Sequence, residues 1–190
     1  MKRLAPFGFA IAALILSAQR SPACVGTDCL QIFSTEEGGG ELTVLWDFEH
    51  RPVQTFKSFC AAGQCVFGAG DPGFRTEPPP PNGYHSLAEG TNVSIEATSI
   101  DPAVIVSIGG PLEENQQVML GTAPTLHTHP TWQLKVPEGV QGSFPFKFRL
   151  TTDSAAYAGS PLITAYRGGK PSRRPVWFMR LLTTSGVRRP

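Results

Sequence analysis

Apolar residues recur at every second position along much of this chain, most clearly in residues 127–150, HTHPTWQLKVPEGVQGSFPFKFRL. Trp132, Leu134 and Val136 alternate with polar neighbours, and Phe144, Phe146, Phe148 and Leu150 do the same after a Pro-Glu-Gly turn. A period of two sends successive side chains to opposite faces, so each run predicts a β-strand with one buried face. Joined through a turn, the two runs are expected to pair as a hairpin, entered through His127 and His129.

The same reading predicts strands elsewhere. Residues 41–49 place Leu42, Val44, Trp46 and Phe48 inward and Thr43 and Asp47 outward. Residues 91–100 alternate through Val93, Ile95 and Ala97. Shorter apolar runs at 30–33, 53–59, 66–67, 104–108, 116–120 and 162–166 complete a set of about nine strands separated by Gly- and Pro-containing turns. Nothing carries the 3.6-residue period of a helix. Residues 71–86 hold five prolines; proline fixes φ and lacks the N–H donor, so this stretch is expected to be a long surface loop rather than a central strand. The residues before it are too few for a core of their own. The fold class expected is therefore all-β, a single antiparallel β-sandwich of immunoglobulin-like or related Greek-key type over residues 24–166.

The two ends differ from this body. Lys2 and Arg3, an apolar run over residues 7–16, and Ser21-Pro22-Ala23 have the form of a secretory signal over residues 1–23. The run is too short to cross a bilayer, which takes about 20 apolar residues. A periplasmic or extracellular protein with no transmembrane span after signal removal is expected. A lipid anchor at Cys24 is the alternative, although Ser21 stands where such a signal wants an aliphatic residue. Residues 167–190 form a basic tail with short apolar runs at 176–179 and 181–182. These could dock as an edge strand, lie on a membrane surface or stay disordered.

Charge sharpens the contrast. The formal net charge is +1, but without Lys2, Arg3 and Arg20 there remain 13 basic against 15 acidic residues, a net of −2. All fifteen acids precede Tyr166, and seven of the basic residues follow it. A basic tail on an acidic body can fold back on that body or meet an anionic surface, and a solvated tail is the plainer reading. The partner expected is a cell-surface or envelope component, and no nucleic acid is expected.

Four cysteines form two C-x4-C pairs, Cys24/Cys29 and Cys60/Cys65. In an exported chain these read as two local disulfides, Cys24–Cys29 and Cys60–Cys65. A four-thiolate zinc site is the competing reading, although such sites more often use C-x2-C knuckles.

Candidate chemistry centres on the histidines. Residues i and i+2 of a strand share a face, so His127 and His129 can present two imidazoles to one zinc or copper ion. His85, in the proline-rich loop, is the natural third ligand, and His50 a fourth. Two loop histidines bordering a core strand are the plainer alternative. Trp46 and Trp132 are expected in the sandwich core rather than on a carbohydrate platform. No Gly-x-Ser-x-Gly elbow, HExxH helix or glycine-rich phosphate turn occurs. Fifteen scattered acids define no glycosidase pair.

His127-x-His129-x-x-Trp132, followed by Gly142 and Phe144, resembles the H-x-H-x-x-W…G-x-[YF] segment of bacterial exported and surface-anchored β-sandwich domains. This chain departs from them in Pro130 and Thr131 before the tryptophan and in having no sorting tail. The resemblance implies an extracytoplasmic β-sandwich and raises the interest of the histidine pair as metal ligands. The expected function is a non-enzymatic binding or surface-accessory role with a transition metal at His127, His129 and His85. A metal-free structural or adhesion module of the envelope is the alternative, and a hydrolase using acidic residues a more distant one.

Overall fold

The computed structural model describes residues 29–45, 57–69, 72–76, 80–140, 142, 144–168 and 176–181. Every regular element among them is a strand. In chain order these are β1 (Cys29–Glu36), β2 (Gly39–Leu45), β3 (Lys57–Ala61), β4 (Gln64–Ala69), β5 (Gly73–Arg75), β6 (Asn92–Ile100) and β7 (Val104–Ser107). There follow β8 (Gln117–Thr122), β9 (His127–Thr128), β10 (Thr131–Pro137), β11 (Phe144–Thr152), β12 (Tyr157–Ala158), β13 (Ile163–Gly168) and β14 (Val176–Leu181). They make three sheets, ordered β12-β2-β1-β5-β9, β3-β4-β10-β7 and β14-β13-β11-β6-β8. Pairing is antiparallel throughout, except for β1 with β5 and β2 with β12.

One face of β11 organises the core. Phe146 and Phe148, two residues apart, stack at 5.2 Å. Phe148 meets Phe74 of the first sheet edge-on at 5.9 Å, and Phe146 meets Trp132 of the second edge-on at 5.7 Å. The third sheet thus faces the first and second together, in a layered β-sandwich with one continuous core. Inward positions are closed as alternation requires: Val93, Ile95 and Ala97 of β6, Leu134 of β10 and Leu150 of β11 are all inaccessible to solvent. Trp132 is a core residue, its Nε1–H donating to the Pro72 carbonyl at 3.0 Å; Trp46 lies outside the described residues.

The expected hairpin of β10 with β11 does not form. β10 pairs with β4 and β7, while β11 pairs with β6 and β13 in another sheet. Alternation fixes which face is buried but not which strand lies alongside. The turn after β10, with Gly139 at φ 79°, is tied back to the second sheet by the Glu138 N–H donating to Gly63 at 2.9 Å. The chain then crosses to the opposite layer.

The proline-rich stretch also departs from expectation. It contains β5, and β5 is central, between β1 and β9. Its three residues, Gly73, Phe74 and Arg75, contain no proline, so the donors the sheet needs are present. Phe74, fully buried, anchors them. At the second C-x4-C pair, β3 and β4 form a hairpin whose Ala62-Gly63 turn has positive φ at both residues (51° and 75°), the primed type that suits strand twist. In the tail, β14 pairs with β13 as the edge strand of the third sheet, so that sheet continues past residue 166.

Candidate metal centre

The histidine pair sits where the chain passes from the first sheet to the second. β9 belongs to the first and β10 to the second, with Pro130 between them; β4 and β5 make the reverse passage through Pro72. The Trp132 indole bond to Pro72 fastens the two crossings together.

Register determines what faces what. Leu30 pairs with Phe74, and Phe74 with Thr128, so these three side chains share the core-facing side. Thr128 fixes β9 there through a hydroxyl that donates to the Leu120 carbonyl of β8. Its neighbours His127 and His129 consequently project from the opposite face. On that face Cys29 pairs with Gly73, and Arg75 pairs with both Gln31 and His127. Continuing the antiparallel register by one residue sets His129 beside Gly73, producing a row of Cys29, Gly73 and His129 across three strands.

Gly73 makes that row possible. A Cβ there would lie 2.8 Å from Cys29 Sγ and 2.9 Å from both Cε1 and Nδ1 of His129. With hydrogen alone on Gly73, the sulfur and the imidazole meet above its backbone: Cys29 Sγ lies 3.7 Å from His129 Nε2. The two imidazoles converge by the same atoms, Nε2 to Nε2, at 3.0 Å, with ring centroids 5.0 Å apart and planes at 53°. When one ring carries its proton on Nε2, that N–H donates to the other Nε2. With both rings in the Nδ1–H tautomer, two lone pairs point to one place.

The spacing fits a metal ion. Zinc bonds of about 2.0–2.1 Å to nitrogen and about 2.3 Å to sulfur, at the tetrahedral angle, separate two nitrogens by about 3.3 Å and nitrogen from sulfur by about 3.6 Å. The observed 3.0 and 3.7 Å lie within a few tenths of an ångström of these values. One ligand atom from each of Cys29, His127 and His129 falls within 4.8 Å of the others, with Cys29 buried and the histidines half-buried. Cys29 is disulfide-bonded, and a disulfide sulfur is a far poorer ligand than a thiolate. As the chain stands, the site offers two imidazoles.

The predicted ligands are therefore divided. His127 and His129 come together, and His85 does not join them. His85 forms an isolated bridge with Ser34, its N–H donating to the Ser34 carbonyl at 3.0 Å and the reverse bond at 2.9 Å. Ser34 is five positions along β1 from Cys29, about 16 Å at the rise of a strand. His50 and Cys24 lie outside the described residues. Cys60 and Cys65 are joined in a disulfide across the β3–β4 hairpin, and no described cysteine is free, which removes the four-thiolate zinc reading. Cys29 was expected as half of a disulfide or as one thiolate of a four-cysteine zinc site, and in neither case beside the histidines. Its nearness to His129, one hundred residues away, depends on the placement of β5, which composition concealed.

No protein-family model matches the chain, and no solved structure matches it. A stretch of 23 residues is 91% identical to part of the uroporphyrinogen decarboxylase of Arthrobacter sp. (strain FB24). That stretch is 12% of this chain and 7% of the decarboxylase, so the likeness is confined to a fragment and carries neither fold nor activity.

Proposed function

We propose that this chain is an exported β-sandwich protein that binds a transition metal, zinc or copper, through His127 and His129 in a binding or accessory role at the cell envelope. The observation that carries the reading is the convergence of the two Nε2 atoms at 3.0 Å on a strand locked from its other face by Thr128. Imidazole suits both metals, and ligands held in place before binding lose little freedom on capture. The signal-like residues 1–23 and the Cys60–Cys65 disulfide support an oxidising, extracytoplasmic compartment. The His-x-His-x-x-Trp segment supports the same assignment through its resemblance to exported sandwich domains.

The test is calorimetric titration of Zn(II) and Cu(II) into the oxidised protein and into a His127→Ala/His129→Ala variant. The variant is expected to lose affinity by roughly tenfold or more, equivalent to about 1.4 kcal/mol. Equal affinity in the two proteins contradicts the assignment. The disulfide at Cys29 favours a second reading, a metal-free structural or adhesion module, because it leaves only two protein ligands. In that case neither protein takes up metal.

A further inference from the structure

We infer that the metal centre is redox-gated: reducing the disulfide at Cys29 releases a thiolate that completes a Cys29–His127–His129 ligand set, and oxidation withdraws it. This rests on the reading of the histidine pair as metal ligands.

Three observations meet at the sulfur. Cys29 Sγ is already 3.7 Å from His129 Nε2 and within 4.8 Å of a ligand nitrogen of His127, so little movement separates it from a bound ion. The sheet holds it there as well as the disulfide. Cys29 is in register with Gly73, and the adjacent Leu30 is fully buried against Phe74. Breaking the sulfur–sulfur bond therefore leaves the cysteine backbone in place. Charge supplies the third observation. Imidazole nitrogens bring no negative charge to a divalent cation, and a thiolate supplies one.

The chemistry balances with a dithiol as reductant. The dithiol attacks the disulfide and becomes a cyclic disulfide, giving two electrons and two protons to the protein sulfurs, which become two thiols. The divalent metal then bonds Cys29 sulfur, and the thiol proton leaves to solvent. Three protein ligands leave a fourth position open for water or an incoming ligand. Thiol–disulfide exchange in the reverse direction restores the sulfur–sulfur bond and returns the site to two imidazoles.

Cobalt(II) is the probe, because a cobalt–thiolate bond gives a charge-transfer absorption that imidazole ligation lacks. Titrations are made on the full chain carrying Cys60→Ser and Cys65→Ser, before and after dithiol reduction and anaerobic removal of the reductant. Reduction is expected to tighten cobalt binding by roughly 100-fold and to bring up the thiolate band. Adding Cys29→Ser is expected to abolish both effects while leaving the weaker, histidine-dependent binding. A Cys24→Ser variant, in which the partner nominated by spacing is removed, is expected to show the band without reductant, and it covers the case in which reduction harms folding. Histidine-dependent binding with no band in either the reduced protein or Cys24→Ser overturns the gate and leaves the proposed function standing. Binding indifferent to His127→Ala/His129→Ala overturns both.

Discussion

At Gly73 the difference between a hydrogen and a methyl group decides whether a sulfur and an imidazole can share the space above one backbone position. Replacement by alanine places Cβ within 3 Å of Cys29 Sγ and of the His129 ring. Real Cβ atoms do not approach so closely, so the cysteine sulfur, the imidazole or both must shift. Gly73→Ala is expected to cost about 1–3 kcal/mol of stability, as overpacking does. It is also expected to weaken zinc binding by roughly tenfold, read by denaturant melts and by titration of the oxidised protein. Unchanged zinc affinity in a folded Gly73→Ala variant would show that the position of His129 is immaterial. The histidine pair was legible from residue spacing, because the i and i+2 positions of any strand share a side. The glycine was legible only as one residue of the proline-rich stretch read as a surface loop, and its role over Cys29 depends on contacts between distant strands. His85 illustrates the opposite error: its residue type suited the site, but a backbone bridge to Ser34 commits it elsewhere.

Among the elements, β5 carries a role out of proportion to its three residues. It joins β1 to β9, and without it neither Cys29 nor the histidines have a common frame. Its hold on the core is Phe74, fully buried between its strand partners and the ring of Phe148. Phe74→Ala is expected to destabilise the protein by about 3–5 kcal/mol through cavity formation. Because the loss falls on the strand that frames the site, zinc affinity in the folded fraction should fall as well; a melt with metal titration separates the two effects. A stability loss below 1 kcal/mol would mean that β5 is not anchored as described. Proline content hid this strand, since the prolines flanking it outweighed the short donor-bearing segment between them. The long alternations of β6, β10 and β11 were plain from periodicity. Their partners were not, because pairing is decided across the layer by contacts such as Trp132 with Phe146.

In the whole molecule, the third sheet lies against two others, and the site occupies the junction where the chain changes between those two. That placement gives an all-β fold a rigid corner: Trp132 fills the core beneath it, and its indole ties Pro72 to the strand that follows the histidines. The sandwich class follows from the density of alternating runs, whereas the division into three sheets depends on crossings that local pattern does not encode. No helix among the described residues is long and apolar enough to cross a membrane. The tail contributes β14 to the edge of the third sheet, away from the junction. The most direct test of the metal assignment is X-ray absorption at the zinc edge on oxidised, zinc-loaded protein, beside the His127→Ala/His129→Ala variant. Two imidazole nitrogens at about 2.0–2.1 Å that vanish in the variant are the expected result. Imidazole scattering of equal strength in both proteins, or a shell of oxygen alone in the unsubstituted chain, would place the zinc elsewhere and contradict the account.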